Sequence, residues 1–129
     1  MTDKLELYFK AAQSAKIGIW KMNLLTNHFF WDAVTKCILE VSDDFEPSLS
    51  SAINFYTEGE NRDRIKSHMN AAISKGIPFD DKFQITTTKN TIKYIECICQ
   101  VEMIDGKPLH LLGTFQDITN EQNLINELQ

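Results

Sequence analysis

The chain has 129 residues, 43% hydrophobic and 24% charged, with a formal net charge of -5. That length holds one domain with one core, and the balance is that of an ordinary globular protein. Lys and Arg are scattered rather than gathered, which excludes the basic footprint of a nucleic-acid partner, and no apolar run approaches the ~20 residues that span a bilayer, so no membrane contact is expected.

The opening residues, Met1 to Glu6, are polar and partly acidic, unlike a signal peptide, and a cytoplasmic location is expected. A first helix is predicted from Lys4 to Ala15, with Leu5, Tyr8 or Phe9 and Ala12 on one face. Ile17 to Asn23 reads as a strand, Leu24 to Asn27 as a turn and His28 to Trp31 as the second strand of a hairpin. Asp32 can cap a helix to about Glu40 with Val34, Cys37, Ile38 and Val41 inward. Ser42 to Ser50 is expected to be loop, and Ala52 to Tyr56 a short helix. Thr57 and Glu60 have capping-box spacing before a helix that runs to Lys75, with Ile65, Met69, Ala72 and Ile73 as its apolar stripe. Gly76 ends that helix.

Strands follow. Phe79, Phe83, Ile85 and Thr87 alternate with polar residues, and Thr88 to Asn90 turns the chain. Thr91 to Met103 places Ile95, Cys97, Cys99, Val101 and Met103 on one face. Asp105-Gly106 is a hairpin signal leading into a last strand, Pro108 to Asp117. Thr119 and Gln122 again have capping-box spacing, at the start of a helix with Leu124, Ile125 and Leu128 on one side, like the beginning of a two-stranded coil. Two strands, then helices, then three strands make an antiparallel α+β domain.

No nucleophile with its base, paired acids or metal cluster occurs at diagnostic spacing, so no catalytic or metal residue is assigned. Asp43, Asp44 and Glu46 read as a solvated loop rather than a carboxylate site, and Asp80-Asp81 reads the same way, since one of that pair should face water. Cys37, Cys97 and Cys99 read as reduced, buried thiols.

The stretch Gly113-Thr114-Phe115-Gln116-Asp117-Ile118-Thr119 resembles the G-x-x-x-D-I-T ending of PAS domains, the small sensor modules of bacterial signalling proteins. Gly18-Ile19-Trp20, Trp31-Asp32, Asn61-Arg62 with Ile65, and Gly76-x-Pro78-Phe79 resemble further landmarks of that family in the same order. Lys89-Asn90 stands where the family often has Asp-Gly, and Tyr94 where it often has Trp, which weakens the subfamily assignment rather than the fold.

The resemblance implies a single PAS domain over 1-129: a flanking helix at 4-15, a core at 17-117 and a signalling helix from 119. The expected fold is a five-stranded antiparallel sheet with helices on one face. Ile65, Met69, Ile95, Cys97, Cys99 and Phe115 would line a pocket for a small apolar or weakly polar ligand, or else pack against each other as core. Some PAS domains hold haem through a histidine on the long helix, which makes His68 the candidate; half-exposed packing is the commoner role for such a histidine, and haem is disfavoured. A photochemical flavin is also disfavoured. The region Ile53 to Arg64 has no cysteine, and Phe115 stands where such sensors have glutamine.

Gln116, Asp117 and Thr119 would pass a change from the last strand to the outgoing helix. The function implied is a cytoplasmic sensor and dimerisation module, paired through its terminal helices and acting on an effector such as a histidine kinase or a diguanylate cyclase. The alternatives are a ligand-free structural dimerisation module, or a small α+β enzyme with a cone-shaped pocket.

Overall fold

The computed structural model describes residues 3-129. The element order is α1 (Asp3–Ser14), β1 (Ile17–Asn23), β2 (Phe29–Trp31), α2 (Ala33–Leu39), α3 (Leu49–Asn54), α4 (Glu60–Lys75), β3 (Phe79–Thr86), β4 (Ile92–Ile104), β5 (Lys107–Asp117) and α5 (Thr119–Glu127). The strands form one five-stranded antiparallel sheet in the order β2-β1-β5-β4-β3. This is the expected α+β architecture.

Alternation along the strands decides which side of the sheet is covered. Register aligns Trp31, Trp20, Gly113, Cys99 and Phe79 in one row, and Gly18, Phe115, Cys97 and Asp81 in the next. These rows face α2, α3 and α4, and the buried core lies between. On the opposite face, Ala12 and Gln13 of α1 meet Ile19, Phe30 and Leu112 around a cleft. Leu5 and Phe9 fall outside the described side chains; on the same helix Tyr8 is exposed and Ala12 half-buried.

Asp32 caps α2 as expected, its carboxylate accepting from the Thr35 N–H at 2.9 Å. The inward residues of α2 are Thr35, Ile38 and Leu39, whereas Cys37 is exposed. Placing Cys37 among the inward, buried thiols is therefore corrected. The Asp32 cap sets the helix phase, and that phase turns Thr35 inward, where its hydroxyl donates to Asp32 at 2.9 Å.

Helix α3 starts earlier than its apolar residues suggest, because Ser48 and Ser51 form a reciprocal capping box. The capping box expected at Thr57 and Glu60 does not form: Gly59 occupies the N-cap with no side-chain cap. Thr57 is held elsewhere, its hydroxyl 3.1 Å from that of Thr86. The chain from Phe55 to Thr57 runs alongside β3, with the Thr86 N–H donating to the Phe55 carbonyl at 2.8 Å and the Thr57 N–H to that of Gln84 at 3.1 Å. Arg62 secures the passage into α4 by donating to the carbonyls of Tyr56 and Asn54, both at 3.1 Å.

Candidate functional site

Aromatic side chains from the two N-terminal strands cannot all pack flush against the short helices facing them. Trp20 and Phe29 have ring centres 5.9 Å apart, Trp31 stacks on Phe45 at 5.6 Å, and Phe55 meets Trp31 edge-on. A cavity of about 40 Å³ remains between them and α4. That is room for a few water-sized groups. Of the expected lining residues, Ile65, Met69, Cys97 and Phe115 border it. Ile95 and Cys99 do not; both are completely buried, packed along the sheet.

The polar groups at the cavity are few. The Tyr56 hydroxyl faces the Cys97 thiol, and burial pushes the hydroxyl pKa well above its usual value. Burial likewise pushes Cys97 up to about 12, despite hydrogen bonds from Tyr56 and Trp20. Both groups therefore stay neutral, and the wall carries no charge. Thr35 adds a second hydroxyl.

His68 is not among the cavity residues. Its ring stacks on Phe79 at 4.6 Å, and its Nε2–H donates to Asp81 Oδ2 at 3.0 Å. Arg64 Nη1 donates to the same oxygen at 2.7 Å. Burial pushes the Asp81 carboxyl up, but the donors His68, Arg64 and the Lys82 N–H outweigh it and hold the carboxyl below its ordinary value. Asp80, its neighbour, faces water.

The sheet ends in a junction built on the backbone N–H and carbonyl of one residue, Tyr94. The Tyr94 carbonyl accepts from the Ile118 N–H at 2.8 Å. The Tyr94 N–H donates to Thr119 Oγ1 at 3.1 Å. Asp117 Oδ1 accepts from the Thr119 N–H at 2.9 Å and also from its hydroxyl. Thr119 is thus the first helical residue and not the cap. The N-cap is Ile118, without a side-chain bond, and Gln122 turns to Asn126. The capping box expected at Thr119 and Gln122 is corrected accordingly: the Thr119 hydroxyl is already taken by Tyr94 and Asp117. Gln116 lies on the opposite face of β5, opposite Ile17 and Glu96.

Two solved structures are similar to the chain in fold. A sensory box histidine kinase/response regulator from Burkholderia thailandensis superposes with a TM-score of 0.76 at 19% identity, covering 94% of this chain and 91% of that one. The N-terminal domain of a diguanylate cyclase with PAS/PAC sensor from Marinobacter aquaeolei gives 0.74 at 17% identity, covering 82% of this chain and 98% of that one. The chain folds as a PAS domain. A curated relative, the sensor protein FixL of Bradyrhizobium diazoefficiens, is 25% identical over 114 residues, which is 88% of this chain. The chain spans 22% of the length of that relative. No family model matches the chain. Among the described residues, no helix is long and apolar enough to cross a membrane, and no group of His, Cys, Asp and Glu could hold a metal ion.

Several cavity residues escape a reading of the sequence alone: Trp20, Phe29, Trp31, Leu39, Phe55 and Tyr56. The usable signal is alternation, which puts Phe29 and Trp31 on one face of β2, opposite Met22 and Trp20.

Proposed function

We propose that this PAS domain is the sensor and dimerisation module of a longer cytoplasmic signal-transduction protein. A small apolar or weakly polar ligand, or a partner, alters the packing around the cavity. The change passes through Gln116, Asp117 and Thr119 to α5 and so to an effector. One observation carries this reading. Cys97 and Phe115 border the cavity and pair with each other on β4 and β5, the strands whose ends at Tyr94 and Asp117 hold the start of α5.

Dimerisation is supported by apolar side chains left exposed on both flanking helices: Leu7 and Tyr8 on α1, and Leu124, Ile125 and Leu128 at the other end of the chain. The likeness to domains of a histidine kinase and a diguanylate cyclase supports one of these as the effector.

A native mass spectrum of the purified domain, taken beside its visible absorption spectrum, tests the reading. A dimer carrying an added mass that unfolding releases is the expected result. A colourless, unliganded monomer that gains no mass from mixed small-molecule extracts overturns it. A second reading, a ligand-free dimerisation module, is favoured by the small volume of the cavity. A dimer at its bare mass under the same conditions selects that reading.

A further inference from the structure

The geometry points to Lys93 as a positioning residue that ties the C-terminal end of α2 to the start of α5. Lys93 stands on β4 opposite Ile85, on the helix-bearing face, with its side chain only 18% exposed. Its ammonium donates to the Ile38 carbonyl at 2.8 Å. The same nitrogen lies 4.0 Å from Asp117 Oδ2. The other Asp117 oxygen holds the N–H and hydroxyl of Thr119. One carboxylate is therefore shared between Lys93 and the first residue of α5.

The contact with α2 has a clear physical cause. The carbonyls of a helix's last turn have no N–H partner within the helix. The N–H groups of Glu40 and Val41 turn back to Cys37 and Lys36, which leaves the Ile38 carbonyl for Lys93. A cation there also meets the negative end of the helix. Among the described residues, no other side chain makes a hydrogen bond or ion pair to both this end of α2 and Asp117.

Helix α2 is also a wall of the cavity, through Thr35 and Leu39. Leu39 follows Ile38 directly, so a displacement of Leu39 moves the carbonyl that Lys93 holds. The two contacts are unequal: the carbonyl is bonded, and the carboxylate stands beyond hydrogen-bond reach. If the carbonyl withdraws, the ammonium is free to close on Asp117 and to compete with Thr119 for its charge. Lys93 thus converts movement at the cavity wall into a change at the foot of α5. This inference rests on the proposed passage of a signal from cavity to α5.

The test uses the whole chain and reads amide hydrogen exchange at Ile118 and Thr119 by NMR. Leu39→Ala perturbs the cavity wall, alone and combined with Lys93→Met or Lys93→Arg. Leu39→Ala is expected to change exchange at Thr119 by about five- to tenfold when Lys93 is present, the scale of one ordinary hydrogen bond. With Lys93→Met the response should fall below about twofold, and Lys93→Arg should restore it. An equal response with and without Lys93→Met makes Lys93 a plain structural contact and overturns the inference alone. No response in either background overturns the inference together with the cavity-to-helix reading. Should Lys93→Met fail to fold, Asp117→Asn keeps an acceptor for Thr119 while removing the charge, and the same loss of response is expected.

Discussion

A β-carbon on Gly113 would stand 1.7 Å from the Ile98 carbonyl oxygen. The two strands approach so closely there that hydrogen is the one side chain that fits. Gly113→Ala must push β4 and β5 apart at the centre of the sheet. We expect a loss of about 3 kcal/mol, at the upper end of the usual cost of overpacking, read from urea unfolding. Gly18→Ala should behave similarly, because its β-carbon would meet Thr35 Oγ1 at 2.1 Å.

Asp81 predicts the acid limb of the stability curve. Burial opposes its ionisation, but the donors His68, Arg64 and Lys82 prevail and lower its folded pKa. A carboxyl with a lowered folded pKa contributes stability that is fully present above its unfolded value, about 3.9, and is lost as pH falls through the folded value. Urea midpoints measured from pH 6 down to pH 3 should therefore fall in the native chain. In Asp81→Asn they should start lower and decline less steeply. Equal slopes in the two chains would count against the contact.

The thiols predict a labelling pattern. Cys97 and Cys99 are buried, and burial pushes both up to about 12, so neither offers a thiolate near neutral pH. Cys37 is exposed. Iodoacetamide at pH 8 should modify Cys37 in the folded chain and all three cysteines in denaturant, with peptide mass mapping as the readout. Rapid modification of Cys97 without denaturant would show that the cavity opens to solvent.

Thr119 predicts a local loosening. Thr119→Val keeps the shape but leaves the Tyr94 N–H without its acceptor. The expected cost is about 1 to 2 kcal/mol, confined to the junction. Amide exchange should quicken at Tyr94 and Thr119 and stay unchanged at Leu111 in the core. Thr119→Ser, which retains the hydroxyl, should leave Tyr94 protected.

What the sequence discloses follows from how local each cause is. Ile17 to Asn23 is legible to the residue because alternation and the following polar turn are both local. The Asp105-Gly106 hairpin is legible because both residues adopt positive φ, 51° and 76°, which that pair tolerates. Thr57 and Thr119 mislead because a hydroxyl at capping distance has rivals that the sequence does not reveal: Thr86 for one, Tyr94 and Asp117 for the other. The cavity is only half legible. Ile65 and Cys97 border it and Ile95 does not, yet all three are buried apolar residues with the same periodic signal. Helix phase and strand register separate them, and both depend on contacts remote in sequence.

The chain from Phe55 to Thr57 covers the Gln84 to Thr86 end of the outer side of β3, and at the other border of the sheet β2 spans just Phe29–Trp31. Long strands with free backbone groups invite neighbouring molecules to add on and grow fibres. Here one such border is occupied at one end and the other is too short to serve as a template. Growth by strand addition is therefore disfavoured at both places.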